Sequence, residues 1–265
     1  MNPLRQKGFG LIAVTALLLL HGPLLAMAVL SLNSGMLFHR WEGVSLYWYG
    51  RALANPGFIE AARVSLIVSV SATVLAAGLA TLAALGLSRL RGRAEGVALA
   101  LLGLPLVVPE VVMAIATLIL FSQVPVFGQG LLRLILAHAC FCLPFALMPV
   151  RAALRGLDPD LAQAARDLSA GEMQVLRMVT LPLLAPGIAA GAALAFVVSF
   201  DDFAMAQMTA GPGQSTLPVF IWAQLRRPLT PEINAMCMIV LALSVTLVCL
   251  AAAALSRRGQ SLIQS

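Results

Sequence analysis

Six stretches of this chain are each as long and as apolar as a membrane crossing requires, and that limits what it can fold into. They run over about 9–31, 64–88, 97–121, 131–152, 183–208 and 233–256. A helix crosses roughly 30 Å of hydrocarbon with roughly 20 mostly apolar residues. The six windows take up more than half of the 265 residues. With 60% hydrophobic residues, 11% charged and a mean hydropathy of +0.95, the chain lacks the polar surface a soluble domain of this length needs. In lipid every backbone polar group must be satisfied internally, so long apolar windows imply helices. The expectation is an all-α membrane protein, residues 1–265 forming one polytopic domain.

The first window has two readings. Arg5 and Lys7, an apolar run and then Ala26-Met27-Ala28 resemble a signal peptide with a small-residue cleavage site. The apolar run continues through Leu32, too long for that, so a retained first span is preferred. Basic residues then set the orientation. With the N-terminus inside, the inner segments hold eleven of the 17 (Arg5, Lys7, Arg89, Arg91, Arg93, Arg151, Arg155, Arg166, Arg177, Arg257, Arg258). The outer segments hold six: Arg40, Arg51, Arg63, Arg133, Arg226 and Arg227. The excess places both termini in the cytoplasm. It also accounts for the net charge of +6 without a nucleic-acid face, and no nucleic-acid partner is expected.

Cys140, Cys142, Cys237 and Cys249 all fall inside expected spans and lack metal spacing with a histidine, so they read as small core residues. No metal site and no cofactor is expected. His21 and His138 also lie in spans; His138 reads either as a hydrogen-bonded packing group or as part of a pathway. The outer loop 32–62 gathers Trp41, Tyr47, Trp48 and Tyr49, suited to the headgroup region or to a docked soluble partner. The short basic loop 89–95 reads as an anchor. Pro105, Pro109, Pro144 and Pro149 interrupt spans three and four, which bundles tolerate where neighbours or a cavity satisfy the freed backbone.

One polar stretch, about 153–182, separates spans four and five. Asp158-Pro159-Asp160 is a helix start, with Asp as cap and Pro at the first helical position. Leu161, Ala164, Ala165 and Leu168 follow at i, i+3, i+4 and i+7, one narrow apolar stripe, while Gln163, Arg166 and Asp167 point elsewhere. Ser169-Ala170-Gly171 breaks the run. Glu172 opens a second helix, with Met173, Leu176 and Val179 on its apolar face, and Leu181-Pro182 leads into span five. A helix lying on a membrane carries bulky apolar residues opposite Lys and Arg. An alanine-centred stripe better suits a groove of another protein.

This stretch resembles the EAA loop of bacterial ABC importer permeases, whose pattern is E-A-A, three residues, G, about nine residues, I-x-L-P. Here it reads Gln163-Ala164-Ala165, Arg166-Asp167-Leu168, Ser169 and later Val179-Thr180-Leu181-Pro182. Gln163 replaces the usual Glu and removes a charge. Ser169 replaces the usual Gly, where a left-handed backbone costs about 1 kcal/mol or more. Ser199-Phe200-Asp201-Asp202, Thr209-Ala210-Gly211-Pro212-Gly213, Thr216-Leu217-Pro218, Pro231-Glu232-Ile233-Asn234-Ala235 and, in span three, Pro105 with Val108-Pro109-Glu110 are similar to the permeases that import putrescine and spermidine. The resemblance covers about residues 60 to 256, and more weakly the first span.

It implies the six-span type I importer permease fold, with coupling helices between spans four and five. It also implies a second permease subunit, two cytoplasmic ATPase subunits and a periplasmic binding protein as partners, in the bacterial inner membrane and its lipid. Leu161, Gln163, Ala164, Ala165, Asp167, Leu168, Ser169, Gly171, Leu181 and Pro182 would form the ATPase-coupling surface. The chain holds no G-x-x-x-x-G-K-[ST], so hydrolysis would belong to a separate subunit and this chain would not be an enzyme. Glu110, Asp201 and Asp202 are carboxylates inside spans, costly unless they face a cavity or a partner. A polyamine passage would use them for its ammonium groups, with Phe200 and Phe203 for its methylenes. Equally, an Asp of the pair can cap a broken helix and Glu110 can satisfy backbone at a proline kink. Glu232 reads as a helix cap. The competing readings are the same machine carrying iron, thiamine, sulfate or phosphonate, and an ion-gradient secondary transporter.

Overall fold

The computed structural model describes residues 7–37, 40–124, 130–226, 228 and 230–261. Arg5 and Arg227, used in the charge balance, lie outside the described residues. The elements are α1 (Lys7–Ser31), α2 (Tyr47–Ala54), α3 (Pro56–Leu87), α4 (Arg93–Val107), α5 (Glu110–Gln123), α6 (Leu131–Arg155), α7 (Pro159–Asp167), α8 (Glu172–Val175), α9 (Leu181–Asp201), α10 (Ala204–Thr209), α11 (Leu217–Gln224) and α12 (Pro231–Ser261). A π-helical turn, Leu176–Thr180, joins α8 to α9. Among the described residues the only β pairing is a single bridge between Asn33 and Val44. The all-α expectation holds.

Among the described residues five helices are long and apolar enough to cross a membrane: Gly10–Ser31, Pro56–Leu87, Leu131–Arg155, Glu172–Asp201 and Pro231–Cys249. A sixth crossing arises if α4 and α5, bent by 108° at their break, count as one. Here the structure departs from the single window read at 97–121. Pro109 cannot donate to the helical ladder, and Val108 before it is extended at ψ 134, so the apolar run becomes two helices. Span two starts earlier than expected. Asn55 accepts the backbone N–H groups of Gly57 and Phe58 at 3.0 and 3.2 Å, and Pro56 follows it, an N-cap signal that an apolar window overlooks. Span five ends at Asp201, and its expected last turns form the separate α10.

Contacts gather in two compact units. One comprises residues 1–59 with 220–243, the other 60–219 with 244–265. In the first, Asn33 organises the loop after α1. Its buried amide donates to the carbonyls of Leu37 and Arg40 and accepts from the N–H groups of Gly35 and Glu42. The aromatic group splits: Trp48 is buried with its indole N–H on the Gly35 carbonyl at 3.2 Å, whereas Trp41 and Tyr47 are exposed. Trp48 therefore packs α2 against the loop after α1 rather than joining an exposed aromatic group.

The second unit is built on α6 against α9. Gly187 and Gly191 make the small-xxx-small spacing that lets two helices approach closely. A Cβ on Gly191 would lie 2.5 Å from the Ala146 carbonyl oxygen, and one on Gly187 would overlap Ala153. The buried cluster around this contact is rich in small residues, including Ala76, Ala80, Ala84, Ala137, Ala146 and Ala195. Cys142 is buried, Cys237 partly so, and Cys140 and Cys249 are exposed; all four are free thiols.

Candidate functional site

The segment between α6 and α9 is assembled by local chemistry. The Asp158 carboxylate accepts the Asp160 N–H at 2.9 Å with Pro159 next to it, so α7 starts where the sequence signals it. Its end is a Schellman turn: the Ala170 N–H reaches the Ala165 carbonyl at 3.1 Å and the Ser169 N–H reaches Arg166 at 2.8 Å. That geometry places Ser169 at φ 64, the one non-glycine residue with positive φ among the described residues. The left-handed backbone is formed at the position where the importer pattern has glycine, and it is formed without one. Glu172 then pairs with Arg166 through both its oxygens, at 2.6 and 3.3 Å. The neighbouring Glu172 carboxylate raises the Arg166 guanidinium above its ordinary pKa. The Gly171 N–H donates to the Gln174 side chain at 2.9 Å. The Arg166–Glu172 pair escaped sequence reading because its six-residue spacing matches no helical neighbour rule; only the turn between the helices makes it adjacent.

Among the described residues the apolar stripe of α7 is mostly uncovered. Leu161 is 47% exposed and Leu168 85%, with Gln163, Ala164 and Asp167 also exposed and Ala165 half-buried. Gly171 is exposed; Leu181 and Pro182 open α9 after the wide π-helical turn. An N–H-lacking proline near a helix start leaves one ladder position open, and the Leu181 N–H bonds back to the Leu176 carbonyl.

At the other end of α9 the three intramembrane carboxylates come together. Asp201 is the last residue of α9 and Asp202 lies in the break before α10. The two are therefore not successive positions of one helix, as an uninterrupted span would make them. Glu110 is close enough to act electrostatically on both. The packing of α10 on α5 and α6 produces this meeting. Asp202 is buried; its Oδ1 accepts the Ala206 N–H at 3.1 Å, while its Oδ2 is buried with no hydrogen-bond partner. Asp201 and Glu110 are exposed, and Glu110 stands in the first turn of α5 immediately after the bend. Asp202 thus caps a broken helix with one oxygen and keeps the other buried on the side of Glu110. Phe200 is buried and stacked on Phe196 with centroids 5.7 Å apart, and Phe203 is half-buried at the break.

His138 of α6 is fully buried and hydrogen-bonds Ser199 of α9 at 3.0 Å through Nδ1, with Nε2 unpartnered. The hydrogen-bonded packing role expected for it is what the geometry contains. Glu232 stands in the first turn of α12, where it accepts from Asn55 Nδ2 at 3.3 Å and lies 3.9 Å from Arg51. Arg133 is buried, with its guanidinium 6.0 Å over the Phe121 ring. No cluster of three or more metal-ligating side chains occurs among the described residues.

Comparison with known proteins fits this arrangement. Residues 72–259 match the family of binding-protein-dependent transport system inner membrane components. The spermidine/putrescine transport system permease PotC of Escherichia coli K12 is 34% identical over 229 residues, 86% of each chain. The putrescine transport system permease PotI of the same organism is 35% identical over 228 residues, 84% of this chain and 81% of its own. A bacterial ABC transporter that imports alginate superposes with a TM-score of 0.76 over 94% of both chains at 14% identity, which speaks for the fold. The family match over residues 72–259 and the one-third identity to these relatives over most of the chain place it in the family of inner-membrane permease components of binding-protein-dependent ABC importers.

Proposed function

We propose that this protein is a translocation subunit of a polyamine importer, carrying putrescine or spermidine into the cytoplasm by alternating access. The observation that carries the cargo is the meeting of Glu110, Asp201 and Asp202, on a chain one-third identical to polyamine permeases over most of its length. Three neighbouring carboxylates repel one another, and a carboxylate oxygen buried without a donor is costly. A primary ammonium supplies the missing donors and the compensating charge. The chain keeps two of the three carboxylates open, where a cation can reach them, and the third buried behind them.

In this reading both termini and the α7–α8 segment face the cytoplasm. The exposed stripe of Leu161, Ala164 and Leu168, together with Ala165, seats in a groove of an ATPase subunit, and Gln163 and Asp167 flank that contact. Two ATPase subunits close on ATP, and their motion passes through Ser169 and Gly171 and the turn before Leu181-Pro182 into span five. A second, different permease completes the passage, and a substrate-loaded binding protein docks outside. Phe200 and Phe203 sit beside the carboxylates, where methylenes of the cargo would pass.

The test is uptake of labelled putrescine and spermidine into proteoliposomes holding the assembled transporter, with binding protein outside and ATP inside. ATP-dependent uptake that falls at least tenfold in the Asp201→Asn, Asp202→Asn double variant supports the reading. Polyamine uptake driven by an ion gradient without the ATPase defeats it. ATPase activity stimulated only by a binding protein loaded with another solute keeps the importer and removes the cargo.

A further inference from the structure

We infer that the groove between α4 and α6 is a binding site for an anionic phospholipid. It has a volume of about 410 Å³ and walls of Leu99, Leu102, Leu106, Leu147 and Met148, closing at one end on Arg151 and Arg155. Glu95 in the first turn of α4 meets Arg151 and Arg155 near the end of α6, and these turns form the charged mouth. From Leu99 to Leu106 the groove follows about 10 Å of helix at 1.5 Å per residue. One leaflet of a hydrocarbon core is about 15 Å deep, half of roughly 30 Å. The apolar part therefore matches most of one acyl chain entering from a single leaflet.

The charge at the mouth selects the headgroup. Glu95 bonds Arg151 at 2.5 Å and Arg155 at 3.3 Å. One carboxylate shared by two guanidiniums leaves one positive charge uncompensated. Arg155 is the open one, its side chain 66% exposed, against 21% for Arg151. Arg89, Arg91 and Arg93 are exposed in the adjoining turn. A second cavity of about 350 Å³, lined by Ser88, Glu95, Arg151 and Arg155, adjoins the mouth and gives room for a polar headgroup. Basic pockets between membrane helices bind phosphate headgroups, and each basic residue near the surface contributes about fivefold in affinity for anionic lipid. An apolar slot one leaflet deep that ends in an uncompensated guanidinium fits a lipid with a net negative head. The inference is independent of the cargo and rests on the membrane-spanning reading of α6.

The full-length chain, purified in a mild detergent, is incubated with an equimolar mixture of phosphatidylglycerol and phosphatidylcholine of the same acyl composition. Native mass spectrometry then counts the retained lipid. Phosphatidylglycerol is expected to exceed phosphatidylcholine by at least about fivefold, the factor for the open charge of Arg155. Arg155→Gln brings the ratio towards parity and Arg155→Lys keeps it. Gly103 lines the groove, and a Cβ there meets nothing within 4 Å, so Gly103→Phe fills the slot without a backbone clash. It lowers retention of both lipids while circular dichroism stays unchanged. Equal retention of the two lipids overturns the inference, as does a preference that survives both Arg155→Gln and Gly103→Phe. If Gly103→Phe leaves lipid retention intact but abolishes co-purification of another subunit, a protein helix occupies the groove and the inference fails.

Discussion

The two ends of α9 are built by opposite means. At its start, α7 and α8 are held by an Asp158 cap, a Schellman turn at Ser169 and one exposed ion pair, all between residues within six positions of each other. At its far end, Asp202, Glu110 and the His138–Ser199 pair are brought together across distances of 60 residues or more by the packing of α6, α9 and α10. The first region is exposed and presents an apolar stripe; the second is largely buried and holds polar atoms without partners. Local structure can survive alone on a surface and be moved as a unit. A buried polar cluster exists only while its helices stay packed. In the proposed reading the first construction transmits motion and the second handles a charged solute.

The contrast is broken most directly at the packing that supports the buried end. Gly191→Leu sets a side chain against the Ala146 carbonyl, and overpacking of this kind costs about 3 kcal/mol or more. Thermal unfolding of the purified chain should drop sharply, and if α6 and α9 keep their contact the close approach is not what holds them. At the surface end, Asp158→Ala removes the cap of α7 and costs about 1 kcal/mol. Amide hydrogen exchange over 159–167 should quicken about fivefold while α6 is unchanged.

Smaller still, Ser169→Gly relieves a left-handed residue worth about 1 kcal/mol, partly offset by glycine's greater freedom when unfolded. A net gain of about 0.5 kcal/mol should slow exchange at Ala170 about twofold, and faster exchange would contradict the strain argument. Glu172→Gln is the least effect. Its partner Arg166 is exposed, so stability should not change measurably, while the low-salt protection of the turn is lost.

Much of the surface end was legible in the sequence for a physical reason. Asp-Pro at 158–159, the i, i+3, i+4, i+7 stripe and the Ser169 break act through neighbours on the chain, and the structure reproduces them. The six apolar windows were legible too, because hydrocarbon thickness sets their length regardless of tertiary context. The division of span three was not. Pro109 marked a weak point, but whether a proline kinks a helix or splits it by 108° depends on what packs beside it.

What the sequence determined by itself was the solvent and the element type, since hydropathy and caps each act over one turn or one window. It also singled out Glu110, Asp201 and Asp202 as expensive. Only the tertiary structure decided that Asp202 is the buried member, capping α10 with one oxygen, that Asp201 and Glu110 stay exposed, and that Glu110 reaches both. The break after Asp201 sets that outcome, because a helix that ends between two adjacent residues sends their side chains into different surroundings.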